Sequence, residues 1–161
     1  MARVLIVGCG CRGQGLAREL IAAGHGVRGT TRDPRRTPDI AAAGAEPFIG
    51  DPDRIATLME ALTGVTIVCW LMGSAEGEGA EELHAGRLRM MWERLVDTPV
   101  RGVLYEAAGS VAPAVLAGGR EVALAAHETW QIPLELLEAD PREHEHWRAE
   151  AMAALERLLG E

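Results

Sequence analysis

Three glycines near the start of the chain, Gly8, Gly10 and Gly13, stand in the spacing G-x-G-x-x-G. They follow the apolar run Val4-Leu5-Ile6-Val7 and lead into a stretch with helical periodicity, so the motif sits at a strand-turn-helix junction. Each glycine has a physical use there. Gly8 permits the tight turn, Gly10 lets backbone approach a pyrophosphate, and Gly13 lets helix and strand come close. The N–H groups at the helix start, around Cys11, Arg12 and Gly13, would face phosphate oxygens. This context predicts dinucleotide binding. The competing reading is a glycine-rich turn kept for close contact alone.

About 20 residues beyond such a loop, an acid holds the ribose of NAD, whereas an arginine accommodates the 2′-phosphate of NADP. Here the second β-type run ends Gly29-Thr30-Thr31-Arg32, with no acid before Asp33. Arg32, Arg35, Arg36 and Arg12 are candidates to surround a phosphate, because a guanidinium donates two parallel bonds. NADP is therefore expected over NAD. Asp33 is the counter-evidence, and a solvated loop is the alternative for Arg35 and Arg36.

Other chemistries find less support. All 16 basic residues are arginines, and the absence of lysine excludes Schiff-base chemistry and Walker-type phosphate binding. With 24 Asp and Glu the net charge is −8, which argues against nucleic acid as the main partner. Glu143-His144-Glu145-His146 resembles a ligand cluster, but His144 and His146 are two apart and share no helix face, so no metal is expected. Cys9, Cys11 and Cys69 form no disulfide framework. Cys9 and Cys11 are read as small fillers of the turn, with a redox sensor as the alternative. His84 and His127 are expected at the surface.

The elements that must position these residues read as an alternation of strands and helices. Strands are expected over 4–7, 26–31, 46–49, 65–71, 101–105 and 133–138. Helices are expected over 13–23, 41–43, 55–62, 81–96, 120–129 and from 140 to 159, with a flexible glycine-rich loop over 73–79. Six strands alternating with helices imply a single α/β Rossmann domain. Its doubly wound parallel sheet would have order 3-2-1-4-5-6, with helices on both faces. The apolar run at the N-terminus is too short for a signal peptide or a membrane span, so a cytoplasmic location is the default.

The run Val4 to Gly10, then Gly24-His25-Gly26-Val27-Arg28-Gly29 and Thr31-Arg32-Asp33-Pro34, resembles the opening of atypical or extended short-chain dehydrogenases/reductases, the epimerase and NmrA-like group. Gly44-Ala45-Glu46 with Gly50-Asp51, and Gly64-Val65-Thr66-Ile67-Val68, continue the likeness over about residues 3–73. The resemblance implies that Asp51 accepts from the adenine amino group. Because strand C-terminal ends face the ligand crevice in a doubly wound sheet, Leu71, Met72, Gly73, Glu106, Ala107 and Ser110 are expected to line the nicotinamide side. The group's Tyr-x-x-x-Lys pair is missing: Tyr105 is the one tyrosine, and it falls within a strand. Ser110 and Glu106 are the remaining catalytic candidates.

Relative to extended members of the group the chain looks truncated, with no substrate domain. A substrate site is thus expected from short loops or a partner subunit. Leu88, Met91, Trp92 and Leu95 exceed what one core face needs, which suggests a homodimer through the helix over 81–96. The expected function is an NADP(H)-binding protein, acting as an oxidoreductase on a small molecule. The alternatives are a non-catalytic dinucleotide sensor or a structural protein that has lost its cofactor.

Overall fold

Alternating apolar residues in the strands feed two core layers, one on each face of a sheet. The computed structural model describes residues 2–160. Its strands are β1 (Arg3–Val7), β2 (Gly26–Thr31), β3 (Glu46–Ile49), β4 (Ile67–Trp70), β5 (Gly102–Glu106) and β6 (Leu134–Leu137). Its α-helices are α1 (Cys11–Ala22), α2 (Thr37–Ala42), α3 (Gly86–Leu95), α4 (Pro113–Trp130) and α5 (His144–Leu159). Every strand pairing is parallel and the order is β3-β2-β1-β4-β5-β6, as the sequence predicts. In β1, Val4 and Ile6 join Leu16 and Leu20 of α1 and Trp147 of α5. Leu5 and Val7 join Trp92 of α3 and Tyr105 of β5 on the other face. Burying each such aliphatic side chain contributes about 1.5–3 kcal/mol.

Register places the site. Val7 pairs with Trp70, and Trp70 with Tyr105, so β1, β4 and β5 end at one level. Strand order reverses between β1 and β4, and ligands of such sheets bind in the crevice at that point.

Several local expectations are corrected. The stretch 55–62 is two 3-10 turns, Ile55–Leu58 and Glu60–Leu62, rather than one α-helix. The Thr57 hydroxyl donates to the Arg54 carbonyl and accepts the Asp51 N–H, which competes with helical bonding. The buried Arg28 of β2 draws the carbonyls of Ala61 and Thr63 to its guanidinium. The helix over 81–96 breaks at Ala85, between a 3-10 turn, Glu82–His84, and α3. The helix expected from residue 120 begins at Pro113, where proline at the first turn loses no bond. Gly118 and Gly119 do not stop it.

Leu88, Met91, Trp92 and Leu95 are all buried within the chain's own core, so they leave no apolar surplus for a partner. Among the described residues, no helix is long and apolar enough to cross a membrane.

Candidate functional site

The glycine loop is fixed by contacts that glycine alone allows. Gly8 has φ +85°, and a Cβ there would lie 2.1 Å from Met72 Cε and 2.7 Å from the Leu71 carbonyl oxygen. Gly13 faces Ile6 Cγ2 at 3.2 Å from its own Cβ position. Gly10 is different: a Cβ there would meet nothing within 4 Å. The loop is pinned to β2 by the N–H groups of Cys9 and Gly8, which donate to the Thr30 carbonyl and hydroxyl at 3.1 and 3.3 Å. No side chain caps the N-terminus of α1, which begins at Cys11, so its first amides are available to an anion.

Gly8, Cys9, Gly10 and Thr30 border an open cleft of about 500 Å³. It brings together Gly8, Gly10, Thr31, Arg32, Arg36 and Met72 of the residues singled out by sequence. Asp33 borders it too. The Asp33 carboxylate, however, accepts from the backbone N–H and guanidinium of Arg35, at 3.0 to 3.1 Å. Those bonds hold its carboxyl below the usual carboxylate range. They also commit Arg35, which is outside the cleft wall. Sequence reasoning missed Ser74 and Asp53, which line the cleft, and the acids Glu76 and Glu78 of the glycine-rich loop. Asp51 is not among the lining residues. Its carboxylate accepts the Asp53 N–H at 2.9 Å, a turn-capping bond. A second acid two residues beyond Asp51 was the signal available for Asp53, whose carboxylate accepts from Arg87 Nε at 3.1 Å.

Arg12 and Glu106 meet each other instead of phosphate and substrate. Arg12 Nη2 donates to both carboxylate oxygens of Glu106, while the Gly73 N–H and Trp147 Nε1 donate to it at 2.8 and 2.9 Å. The Arg12 guanidinium also lies 5.4 Å from the centre of the Trp147 ring, a cation–π contact. Glu106 is wholly buried, and burial raises its carboxyl pKa against the opposing pull of Arg12. Cys11 and Arg12 border a separate cleft of about 70 Å³ with His144, Trp147 and Arg148. Leu71 belongs to the core beneath the sheet end. Gly73 is pressed against the Ala108 carbonyl, 1.9 Å from its Cβ position. Ala107 and Ser110 line a second cavity, which shares Ser74 with the first.

His84 is not at the surface. It is buried, with Nδ1 2.6 Å from the Tyr105 hydroxyl and Nε2 2.8 Å from the Met72 carbonyl oxygen. A carbonyl can only accept, so Nε2 carries the proton and Nδ1 accepts from Tyr105. Burial lowers the His84 pKa and raises that of Tyr105. Gly119 makes room for the hydroxyl, which would lie 1.9 Å from a Cβ there. Tyr105 is thereby withdrawn from the clefts. Burial pushes the Cys9 thiol up to about 12, which disfavours the reactive thiolate of a redox sensor. Cys11 is exposed.

The residues present fit a dinucleotide. The Gly10 position is open, the α1 amides are uncapped, and two arginines, Arg32 and Arg36, line one cleft beyond β2. Fold and site together define a Rossmann-type nucleotide-binding protein. Residues 8–116 match the NAD(P)H-binding family, and the chain belongs to it. Among curated protein sequences, none matches the chain.

Solved structures with this fold include a putative NAD-dependent epimerase/dehydratase from Bacillus halodurans. Its TM-score is 0.70 at 15% identity, over 84% of this chain and 69% of that one. A short-chain dehydrogenase/reductase superfamily protein from Agrobacterium tumefaciens with bound NAD has a TM-score of 0.68 at 16% identity, over 84% and 48%. The triphenylmethane reductase of Citrobacter sp., complexed with NADP(H), has a TM-score of 0.64 at 22% identity, again over 84% and 48%. The chain thus spans about half the length of the last two.

Proposed function

We propose that the chain binds NADP(H) in the cleft at the glycine loop and serves as an oxidoreductase on a small molecule. One observation carries the choice of nucleotide: Arg32 and Arg36 border the cleft beyond β2, while the nearby Asp33 carboxylate is held by Arg35. Gly8, Gly10 and the first amides of α1 would hold the pyrophosphate, and Arg32 with Arg36 the 2′-phosphate. The bound nicotinamide supplies hydride transfer. Ser110 is the catalytic candidate left with an exposed hydroxyl, since Glu106 and Tyr105 are both engaged in buried pairs. That same engagement favours a second reading, a dinucleotide sensor without catalysis.

Calorimetric titration tests the nucleotide choice. The parent should bind NADP about tenfold or more tightly than NAD, the value of one charge-assisted pair. Arg32→Ala should lose that margin for NADP and leave NAD binding unchanged. Tighter NAD binding by the parent, or an Arg32→Ala variant that loses nothing for NADP, would sink the assignment.

A further inference from the structure

We propose that the second cavity, across Ser74 from the dinucleotide cleft, binds a small organic monocarboxylate through the guanidinium of Arg120. This deepens the oxidoreductase reading and rests on it for the meaning of the neighbouring cleft. The cavity holds about 560 Å³, a size suited to a small ligand. One wall is a single face of α4, with Pro113, Leu116, Ala117 and Arg120 at i, i+3, i+4 and i+7. An apolar strip therefore ends in one cation. The connection from β6 to α5 also lines it, with Glu138, Asp140 and Arg142.

The boundary with the dinucleotide cleft is rigid. Val111 N–H donates to the Gly73 carbonyl at 3.0 Å, and Ser110 N–H to Ser74 Oγ at 3.3 Å. A Cβ on Gly109 would lie 2.0 Å from the Gly73 carbonyl oxygen, so the two loops touch backbone to backbone. Ser74 is fixed between the two cavities by this seam. A ligand that spans the second cavity from Arg120 to Ser74 has one end at the nucleotide cleft.

The two arginines of the cavity are not equivalent. Arg142 donates from Nε and Nη2, at 3.1 and 2.8 Å, to Asp140, and its backbone N–H joins them. That pair is closed on itself, and the side chain is 89% exposed. Arg120 donates from Nη2 to Glu138. Among the described residues, its Nε and Nη1 have no partner. Most of its five N–H donors are thus free for a planar, two-oxygen acid. Glu138 and Asp140 set the limit on charge. Two cations and two anions line the cavity and cancel, so no net positive charge offsets a second ligand charge, and a monoanion held by the free Arg120 donors is favoured over a dianion. The strip of Pro113, Leu116 and Ala117 suits the carbon body of such an acid.

Benzoate and benzamide share a shape and differ in charge, and NMR titration of both into protein saturated with NADP tests the site. Benzoate should bind about tenfold or more tightly than benzamide. Arg120→Ala should abolish the difference, and Arg120→Lys should restore part of it, with thermal midpoint and NADP affinity held. Glu138→Gln should tighten benzoate by removing the competing carboxylate, a gain that misfolding cannot mimic. Equal binding of the two probes, no change in Arg120→Ala, no gain in Glu138→Gln, tighter binding of methyl phosphate, or displacement of benzoate by NADP would each overturn the proposal. If NADP fails to bind while benzoate still depends on Arg120, the nucleotide reading fails and the carboxylate site stands.

Discussion

Arg12 Nη2 lies 3.0 and 3.1 Å from the two carboxylate oxygens of Glu106, joining the first turn of α1 to the tip of β5. Trp147 of α5 and the Gly73 N–H complete the shell around the same carboxylate. The glycine loop, the ends of β4 and β5 and the last helix therefore share one buried group. An isolated buried carboxylate is costly, and this one is tolerated because three donors surround it.

Removing the cation should expose that cost. Arg12→Met is expected to lose about 3–5 kcal/mol of stability at pH 7.5, read from urea denaturation. The pH dependence has a definite sign. Burial raises the folded carboxyl of Glu106 above its ordinary 4.5, so the folded state holds its proton more readily than the unfolded. The resulting stability is fully present below the unfolded value and is lost as pH rises through the folded one. Arg12 opposes the rise, and without it the loss should be steeper. The deficit of Arg12→Met should therefore shrink on going from pH 7.5 to pH 5. A deficit constant across that range would show that Glu106 is not its source.

His84 should act in the opposite sense. Its folded pKa is lowered by burial, so its stability is present above the ordinary value of 6.5 and is lost as pH falls through the folded value. Protonation of Nδ1 would place a donor against the Tyr105 hydroxyl, which donates there in the neutral state. His84→Gln should flatten the acid limb of the stability profile relative to the parent. Tyr105→Phe, which orphans Nδ1, should cost about 1–3 kcal/mol at pH 7.5. Parallel profiles of parent and His84→Gln between pH 5 and pH 7.5 would refute the buried-neutral assignment.

The sheet order and the glycine loop were legible because they are written locally. A four-residue apolar run, three glycines at fixed spacing and a helical period need no distant partner to be read. Arg12, His84 and Glu106 were not legible in the same way. Their partners stand 94 and 21 residues away, and Arg, His and Glu default to the surface unless paired. Arg28 carried a readable signal: an arginine between Val27 and Gly29 in a strand must find acceptors, and Glu46 on the neighbouring strand is one. The 3-10 turns at 55–62 escaped because helical periodicity ignores the Thr57 hydroxyl and the pull of Arg28.

The three motif glycines should separate binding from folding. At Gly8 the backbone has φ +85°, and a Cβ would meet both Met72 and the Leu71 carbonyl, so Gly8→Ala is strained by conformation and by contact. It should unfold at markedly lower urea than the parent, by about 2 kcal/mol or more. At Gly13 the neighbour is Ile6 Cγ2 at 3.2 Å from the Cβ position, and Gly13→Val adds an isopropyl group there, so about 1–3 kcal/mol of overpacking cost is expected. At Gly10 nothing stands within 4 Å of the Cβ position, so Gly10→Val should fold with a thermal midpoint near that of the parent. Its isopropyl group would occupy the opening where the pyrophosphate approaches, and NADP binding by calorimetry should fall below detection. Nucleotide binding by Gly10→Val at the parent's affinity would place the dinucleotide somewhere other than this loop.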